Sequence, residues 1–324
     1  MPASEDWLSR LLEIMTVTGR IELRCAYGSP WRLVYEPSRP GEIPYHVLLN
    51  GSAVLEDPAG GSPTLLGAGD IVWLPHGSSH MLHDGSGKRP KRTHEHQTFS
   101  LTISENGGTG DHLDMLCGRF VIAPPHDRLA RDYLPRHLIV STTKENCAQQ
   151  GPSETRTQLA HLTQLMRIES FGDRLGGLAM LNALSATLFA LTLRLASESD
   201  TAATGLLALA GHSRLMPALS AIFNEPERPW TLPELAGRCN MSRATFARQF
   251  HESVGRSAHD LLLDVRMSVA ANALKKPSST TEAVAADVGY QSVAAFRRAF
   301  AHRIGMTPGE WRRSAGSSLA DNGQ

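Results

Sequence analysis

Residues 235–257 read Leu235-Ala-Gly-Arg-Cys-Asn-Met-Ser-Arg-Ala-Thr-Phe-Ala-Arg-Gln-Phe-His-Glu-Ser-Val-Gly-Arg-Ser257. Residues 285–307 read Ala285-Ala-Asp-Val-Gly-Tyr-Gln-Ser-Val-Ala-Ala-Phe-Arg-Arg-Ala-Phe-Ala-His-Arg-Ile-Gly-Met-Thr307. An offset of 50 lays Ala236 on Ala286, Ser242 on Ser292, Ala244 on Ala294 and Phe246 on Phe296. It also lays Arg248 on Arg298, Phe250 on Phe300, Gly255 on Gly305 and Ser257 on Thr307. One supersecondary unit is therefore used twice. Its content is a short helix, a turn and a second helix with outward arginines, the layout of a helix-turn-helix that reads the major groove.

In the first unit, Leu232 to Cys239 supplies the leading helix, Asn240-Met241 the turn, and Ser242 the N-cap of the second helix. Phe246 and Phe250, four residues apart, share one face and are expected in the core. Ala244, Ala247, Arg248 and His251 then fall on the far side, with Arg243 near the helix start. Small Ala244 and Ala247 let the backbone approach base edges, and Arg248 can take a guanine in bidentate fashion, worth about 1–3 kcal/mol of discrimination. Ser242 and Arg243, at the positive end of the helix, suit a phosphate. In the second unit Val284 to Val288 leads, Gly289-Tyr290 turns, Ser292 caps, and Phe296 and Phe300 are core. Val293, Ala294, Arg297 and Arg298 are expected outward. A plain helical bundle with surface arginines could carry one such unit; two with matching caps, anchors and arginines point to DNA.

Residues 258–275 lie between the units and contain neither Gly nor Pro. As one helix they span ~27 Å at ~1.5 Å per residue. A stiff spacer of that size can hold two reading helices about one DNA turn, ~34 Å, apart. The stretch from Asp287 to Phe300, with Gly305-Met-Thr-Pro-Gly-Glu-Trp-Arg312 after it, resembles the signature of AraC/XylS-type bacterial transcription regulators. The resemblance covers about 210–313 and implies a double helix-turn-helix domain, placed here at 210–315. It implies promoter DNA and RNA polymerase as partners, activation as the usual outcome, and no enzymatic role. Ala244 and Ala294 are smaller than the residues often found there, which leaves the recognised DNA sequence open.

The whole chain has 324 residues, 41% hydrophobic and 20% charged, and a formal net charge of zero. That balance hides an asymmetry: from residue 206 onward there are 14 Lys/Arg against 10 Asp/Glu, leaving 18 against 22 before it. The basic surplus falls on the double unit, where a polyanion would bind. No apolar run comes near the ~20 residues that span a bilayer, and the acidic opening does not resemble a secretory signal, so a cytoplasmic protein without a membrane partner is expected. Cys25, Cys117, Cys147 and Cys239 lack CxxC spacing and read as free thiols; Cys239 reads as packing.

After an amphipathic opening helix (Trp7, Leu8, Leu11, Leu12, Met15), residues 20–142 read as short strands broken by turns, and 84–96 as a polar basic loop. Residues 153–196 change to a helical period, with Leu181, Leu184, Leu188, Leu191 and Leu195 as one stripe on the second arm of a hairpin. The stripe either packs on the barrel or pairs with its twin in a homodimer. Residues 197–209 read as a linker and 316–324 as a disordered tail. The expected fold class is α+β and multidomain: an N-terminal β-barrel with a helical hairpin over 1–196, then the all-α double helix-turn-helix.

The stretches His46-Val-Leu-Leu-Asn-Gly51, Gly69-Asp-Ile-Val-Trp-Leu-Pro-His-Gly-Ser-Ser-His80 and Leu116-Cys-Gly-Arg-Phe120 resemble the cupin-type regulatory domain of that family, which implies a signal-sensing and dimerising half. Three signals stay open. His46, His80 and Cys117 could hold a divalent metal such as zinc, although the first cupin metal motif is absent; His94 and His96 are additional but solvated candidates. Cys25 beside Arg24 and Cys117 near Arg119 could form a thiol switch answering an oxidant or electrophile; Cys147 has a less activating setting. An organic effector could enter a barrel mouth lined by Trp31, His46 and Trp73. A metal-dependent cupin enzyme fused to a DNA-binding module is the alternative from another class.

Overall fold

The computed structural model describes residues 6–58, 61–143, 153–172, 174–198 and 204–321. The elements begin with α1 (Trp7–Met15), β1 (Val17–Gly28), β2 (Arg32–Tyr35), β3 (Glu42–Asn50), β4 (Ser52–Glu56) and β5 (Thr64–Gly67). There follow β6 (Asp70–Trp73), β7 (His80–His83), β8 (Thr93–Gln97), β9 (Thr102–Asn106), β10 (His112–Ile122), α2 (Asp127–Tyr133) and β11 (Leu138–Ser141). The rest is helical: α3 (Glu154–Ser170), α4 (Gly177–Ser197), α5 (Leu206–Gly211), α6 (Met216–Asn224), α7 (Leu232–Arg238) and α8 (Arg243–Val254). Then come α9 (Ala258–Leu274), α10 (Thr281–Asp287), α11 (Val293–Ile304) and α12 (Pro308–Asp321).

Two compact units result: Val17–Ala123 with Leu134–Ser199, and Met1–Thr16 with Pro124–Tyr133 and Asp200–Gln324. The first is the cupin-like barrel. Its larger sheet has the order β11-β6-β3-β10-β1-β9-β8 and its smaller one β2-β7-β4-β5. β10 is central, antiparallel to β1 with Cys25 opposite Met115, and to β3 with Cys117 opposite His46. Cys25, Tyr27, Trp31, Leu48, Leu82, Met115 and Cys117 are among the buried side chains between the sheets. Residues 98–101 turn from β8 to β9 through Thr98 N–H to the Leu101 carbonyl (3.0 Å), and leave Phe99 exposed. The end of the expected 84–96 loop is strand, because β8 pairs with β9.

The helical hairpin belongs to the same unit, and its leucine stripe packs on the barrel. Leu181, Leu188 and Leu195 are buried, Leu184 and Leu191 half-buried. Phe189 stacks on Trp73 (ring centroids 4.7 Å apart), and Tyr45 and Ser185 share a 2.7 Å hydrogen bond. Gly19 lets β1 approach α4: an added Cβ would lie 2.4 Å from the Ala186 nitrogen. The stripe is thus spent inside the unit. α4 also corrects the reading that no apolar run nears bilayer length, since it has 21 residues and an 18-residue window within it has a mean hydropathy of 1.6. Serines, threonines and alanines interrupt the leucines and mask its length in the sequence, and its buried face packs as a core helix does.

The second unit is all helical, and two segments that the sequence reading kept with the barrel are grouped with it. α1 buries Trp7, Leu11, Ile14 and Met15, with Trp7 6.0 Å from Phe223 of α6. Asn272 of α9 donates to the Ile14 carbonyl (3.0 Å) and accepts from His126 Nε2 (2.8 Å). These contacts are long-range in sequence, so local periodicity carries no trace of them. At the far end α12 runs to Asp321, where residues 316–324 were expected to be disordered. A capping box between Thr307 and Glu310 starts it, and the Trp311 indole donates to the Ala271 carbonyl (2.9 Å). α4 ends at Ser197 and α5 begins at Leu206, so the linker expected over 197–209 is helical at both ends, and its 199–203 stretch lies outside the described residues.

Arg266 sits in the middle of α9, 8% exposed, and its guanidinium donates to the carbonyls of Pro226, Glu227 and Arg228 ahead of α7. Gly289 makes this close approach possible, since a Cβ there would meet the Glu227 carbonyl oxygen at 2.0 Å. Replacing Arg266 by Ala leaves buried carbonyls without their donor and is expected to cost about 2–5 kcal/mol, read as a lowered urea midpoint. A second expectation concerns His126. Burial, and then the charge of Lys275, pull its pKa down to about 4. The unfolded chain binds that proton near pH ~6.5, so stability present above this pH is lost as the pH falls toward about 4. Between pH 7 and 5 the wild-type urea midpoint should fall more steeply than that of His126→Gln; parallel slopes would contradict this.

Candidate nucleic-acid interface and sensor site

The two helix-turn-helix units repeat the same local chemistry. Thr231 and Thr280 cap the leading helices, and Ser242 and Ser292 cap the reading helices α8 and α11 by accepting from the Thr245 and Ala295 amides. Each leading helix closes with a 2.9 Å bond, Met241 N–H to the Ala236 carbonyl and Tyr290 N–H to that of Ala285. The left-handed residue in each closure is Asn240 (φ 50°) or Gly289 (φ 82°). The repeat therefore has two registers: 49 positions through the leading helices and turns, then 50 through the reading helices, with Gln291 as the extra residue. Ala236 corresponds in space to Ala285 rather than Ala286, and Cys239 to Val288; these four matched residues are buried and Ala286 is exposed. Cys239 is core packing, and burial pushes its thiol up.

Phe246, Phe250, Phe296 and Phe300 are fully buried and orient the reading helices. Ser242, Arg243, Ala244, Ala247 and Arg248 are exposed on one unit, and Ser292, Ala294, Arg297 and Arg298 on the other. Val293 departs from the outward placement expected of it: it is half-buried and packs on the second unit's core. Arg248 pairs with Glu252 (3.4 Å) and Arg297 with Glu282 (3.3 Å), both at exposed sites where such pairs are weak and easily exchanged for phosphate. Arg243 and Arg298 form no ion pair among the described residues.

In the barrel, Cys25 Sγ and Cys117 Sγ stand 4.0 Å apart in the core. Cys117 also lies 3.2 Å from His46 Nδ1 and 3.5 Å from the Tyr35 hydroxyl. His46 Nε2 meets His80 Nε2 at 2.8 Å, and His80 Nδ1 reaches the Ser78 carbonyl at 3.1 Å. A carbonyl only accepts, so His80 carries its proton on Nδ1 and accepts from His46 Nε2–H. That leaves His46 Nδ1 as the acceptor of the Cys117 thiol proton. Burial holds both imidazoles neutral by lowering their pKa values. The Cys25 contact and burial push the Cys117 thiol well up, so it rests protonated.

The arginines expected to activate these thiols do other work. The Arg24 side chain pairs with Asp114 through two 2.8 Å bonds and lies 3.4 Å over the Phe171 ring. Arg119 is shared between Glu22 (3.2 Å) and Glu42 (2.7 Å). Side chains alternate along a strand, so Arg24 faces away from its neighbour Cys25, whereas Arg119, two residues from Cys117, shares its face but is held by the two carboxylates. The expected metal trio is in contact but not convergent: His46 uses opposite ring nitrogens for Cys117 and His80. No group of three or more His, Cys, Asp or Glu among the described residues is arranged to hold a metal ion. His94 and His96 are exposed on β8, and Cys147 lies outside the described residues. A cavity of about 290 Å³ opens onto Tyr35, His46 and Cys117, with Glu22, Arg39 and Arg119 among its walls. Trp31 and Trp73, proposed to line a barrel mouth, are buried elsewhere, Trp73 between Phe120 and Phe189. Tyr35 was not anticipated; its ring stacks on His80 (4.5 Å), a contact between β2 and β7 that no sequence motif signals.

Residues 6–198 match a family model described as a cupin, and residues 235–314 one described as a helix-turn-helix domain. The chain belongs to the AraC/XylS family of transcription regulators, with an N-terminal cupin domain. This regulator is 29% identical over 95% of its length to an uncharacterised HTH-type transcriptional regulator of Haemophilus influenzae, covering 99% of that protein. It is 28% identical to the HTH-type transcriptional regulator MtrA of Neisseria gonorrhoeae, covering 96% of this chain and 99% of that one. It is also 28% identical to the RCS-specific HTH-type transcriptional activator RclR of Escherichia coli, covering 95% and 97%. These relatives are transcription regulators, and this AraC/XylS-type chain is a regulator rather than an enzyme.

For the reading helices, Arg248→Ala and Arg298→Ala should each weaken binding to a selected site by about 1–3 kcal/mol while barely changing affinity for random duplex. Equal losses on both, measured by fluorescence anisotropy at fixed salt, would reduce these arginines to phosphate contacts.

Proposed function

We propose that this regulator is a cytoplasmic, homodimeric activator that recruits RNA polymerase to a promoter when an oxidant joins Cys25 to Cys117. The observation that carries the proposal is the pair of buried sulfurs 4.0 Å apart, one of them beside an unprotonated imidazole nitrogen and a cavity. Ser242, Arg243, Ala244, Ala247 and Arg248, with Ser292, Ala294, Arg297 and Arg298, form the DNA-contacting surface. Activation is favoured by the relative named as an activator. Homodimerisation is assigned to the α3–α4 hairpin and its connection, which expose the apolar side chains Leu165, Ile168, Phe171, Leu175 and Leu178.

The chemistry is as follows for a hydroperoxide. Cys117 passes its proton to His46 Nδ1 as its sulfur attacks the peroxide oxygen. The O–O bond breaks, the alcohol or water leaves with the proton, and Cys117 becomes a sulfenic acid. The Cys25 thiol attacks that sulfur, water leaves, and the S–S bond forms; the two sulfurs have supplied two electrons. Because the thiol rests protonated, His46 is needed for the first step. Closing the sulfurs to ~2.05 Å draws together diagonal positions on β1 and β10, distorting their pairing. That change biases an equilibrium between forms that differ in promoter affinity.

Purified wild type treated with hydroperoxide should lose two hydrogens by mass and change its affinity for a selected promoter duplex. Cys25→Ser and Cys117→Ser should do neither. A wild type that forms the disulfide with unaltered DNA affinity, or serine variants that respond fully, would contradict the proposal.

A further inference from the structure

We infer that Asp132 and Tyr133 are positioning residues for DNA reading: they tie the ends of the two reading helices together and so set the half-site separation that the chain accepts. Neither residue belongs to the repeat; both lie at the end of α2, within the helical unit. Arg256 follows the Gly255 cap of α8 and pairs with Asp132 at 3.0 Å, its guanidinium 5.6 Å from the Tyr133 ring. The Tyr133 hydroxyl donates to one oxygen of Asp264 on α9. The other Asp264 oxygen takes Arg303 at 2.9 Å, and Arg303 also binds Asp260 at 2.6 Å. Arg303 is the next-to-last residue of α11. The chain Arg256–Asp132–Tyr133–Asp264–Arg303 therefore runs from the end of one reading helix to the end of the other.

The asymmetry of the repeat explains why an outside segment is needed. At the 50-residue offset the counterpart of Arg303 is Ser253, which has no charge to reach α9. The second reading helix is clamped to the spacer by its own arginine; the first is held through Arg256 and the 132–133 pair. The inner contacts are shielded, with side-chain exposures of 17% for Asp264 and 19% each for Arg303 and Asp132 and with Tyr133 buried, while Arg256 and Asp260 at the ends are 38% and 39% exposed. Burial and the Asp264 charge push the Tyr133 hydroxyl up, so it remains a donor. Partly enclosed ion pairs hold geometry better than fully exposed ones.

The test uses the full-length chain. Sites are selected by the wild type from random duplex, and versions with one or two base pairs inserted or removed between the half-sites are compared by fluorescence anisotropy. Wild type should discriminate against altered spacing. Tyr133→Phe and Asp132→Asn should keep their affinity for random duplex yet lose about fivefold or more of that discrimination. The reciprocal exchange of Asp132→Arg with Arg256→Asp should restore it, which a merely stabilising role would not require. Variants whose spacing profiles superimpose on that of the wild type, or a wild type indifferent to spacing, would overturn the inference.

Discussion

The spacing of the two reading helices depends on α9 being held as a fixed strut. Its buried Arg266 satisfies three carbonyls ahead of α7, and its acidic face at Asp260 and Asp264 grips Arg303 from α11. A helix of 17 residues spans ~25 Å, enough to separate two reading helices by about one turn of duplex. If the strut could pivot, two arginine-bearing helices would bind two grooves independently and specificity would fall toward that of one unit. Gly289 belongs to the same constraint, since only a residue without Cβ lets the 226–228 carbonyls close on Arg266.

The proposed thiol chemistry sets the barrel a different problem, that of keeping two thiols both buried and reactive. A thiol in an apolar core is inert unless its proton has somewhere to go. The His46–His80–Ser78 chain provides the acceptor, its direction set by the Ser78 carbonyl, and the cavity beside Cys117 gives a small molecule access. β10 carries Cys117 and continues in sequence into residues 124–133, while β1 carries Cys25 and follows α1. Both strands of the sulfur pair thus lead, along the chain, to segments that belong to the helical unit.

The double reader was legible because its logic is local. Caps, paired phenylalanines and outward arginines recur within a few residues, and exposure follows the 100° step everywhere except Val293, which tertiary packing draws inward. The one-residue slip at Gln291 was hidden because Ala236 meets an alanine in either register. The barrel was legible as a class but not in its contacts: Arg24 faces away from Cys25, and Arg119, which shares the cavity wall with Cys117, is taken up by Glu22 and Glu42. The grouping of α1 and 124–133 with the helical unit rests on pairs such as Tyr133–Asp264 and Ile14–Asn272, separated by 131 and 258 positions. Nothing in local pattern can announce such contacts.

Methylation interference on a site selected by the wild-type chain probes the claim of two rigidly spaced readers most directly, because it reports guanine N7 in the major groove. Two clusters of interfering guanines on one face of the duplex, about 10–10.5 base pairs apart, are expected for each bound subunit. A single cluster, or no interfering guanine at all, would contradict the claim.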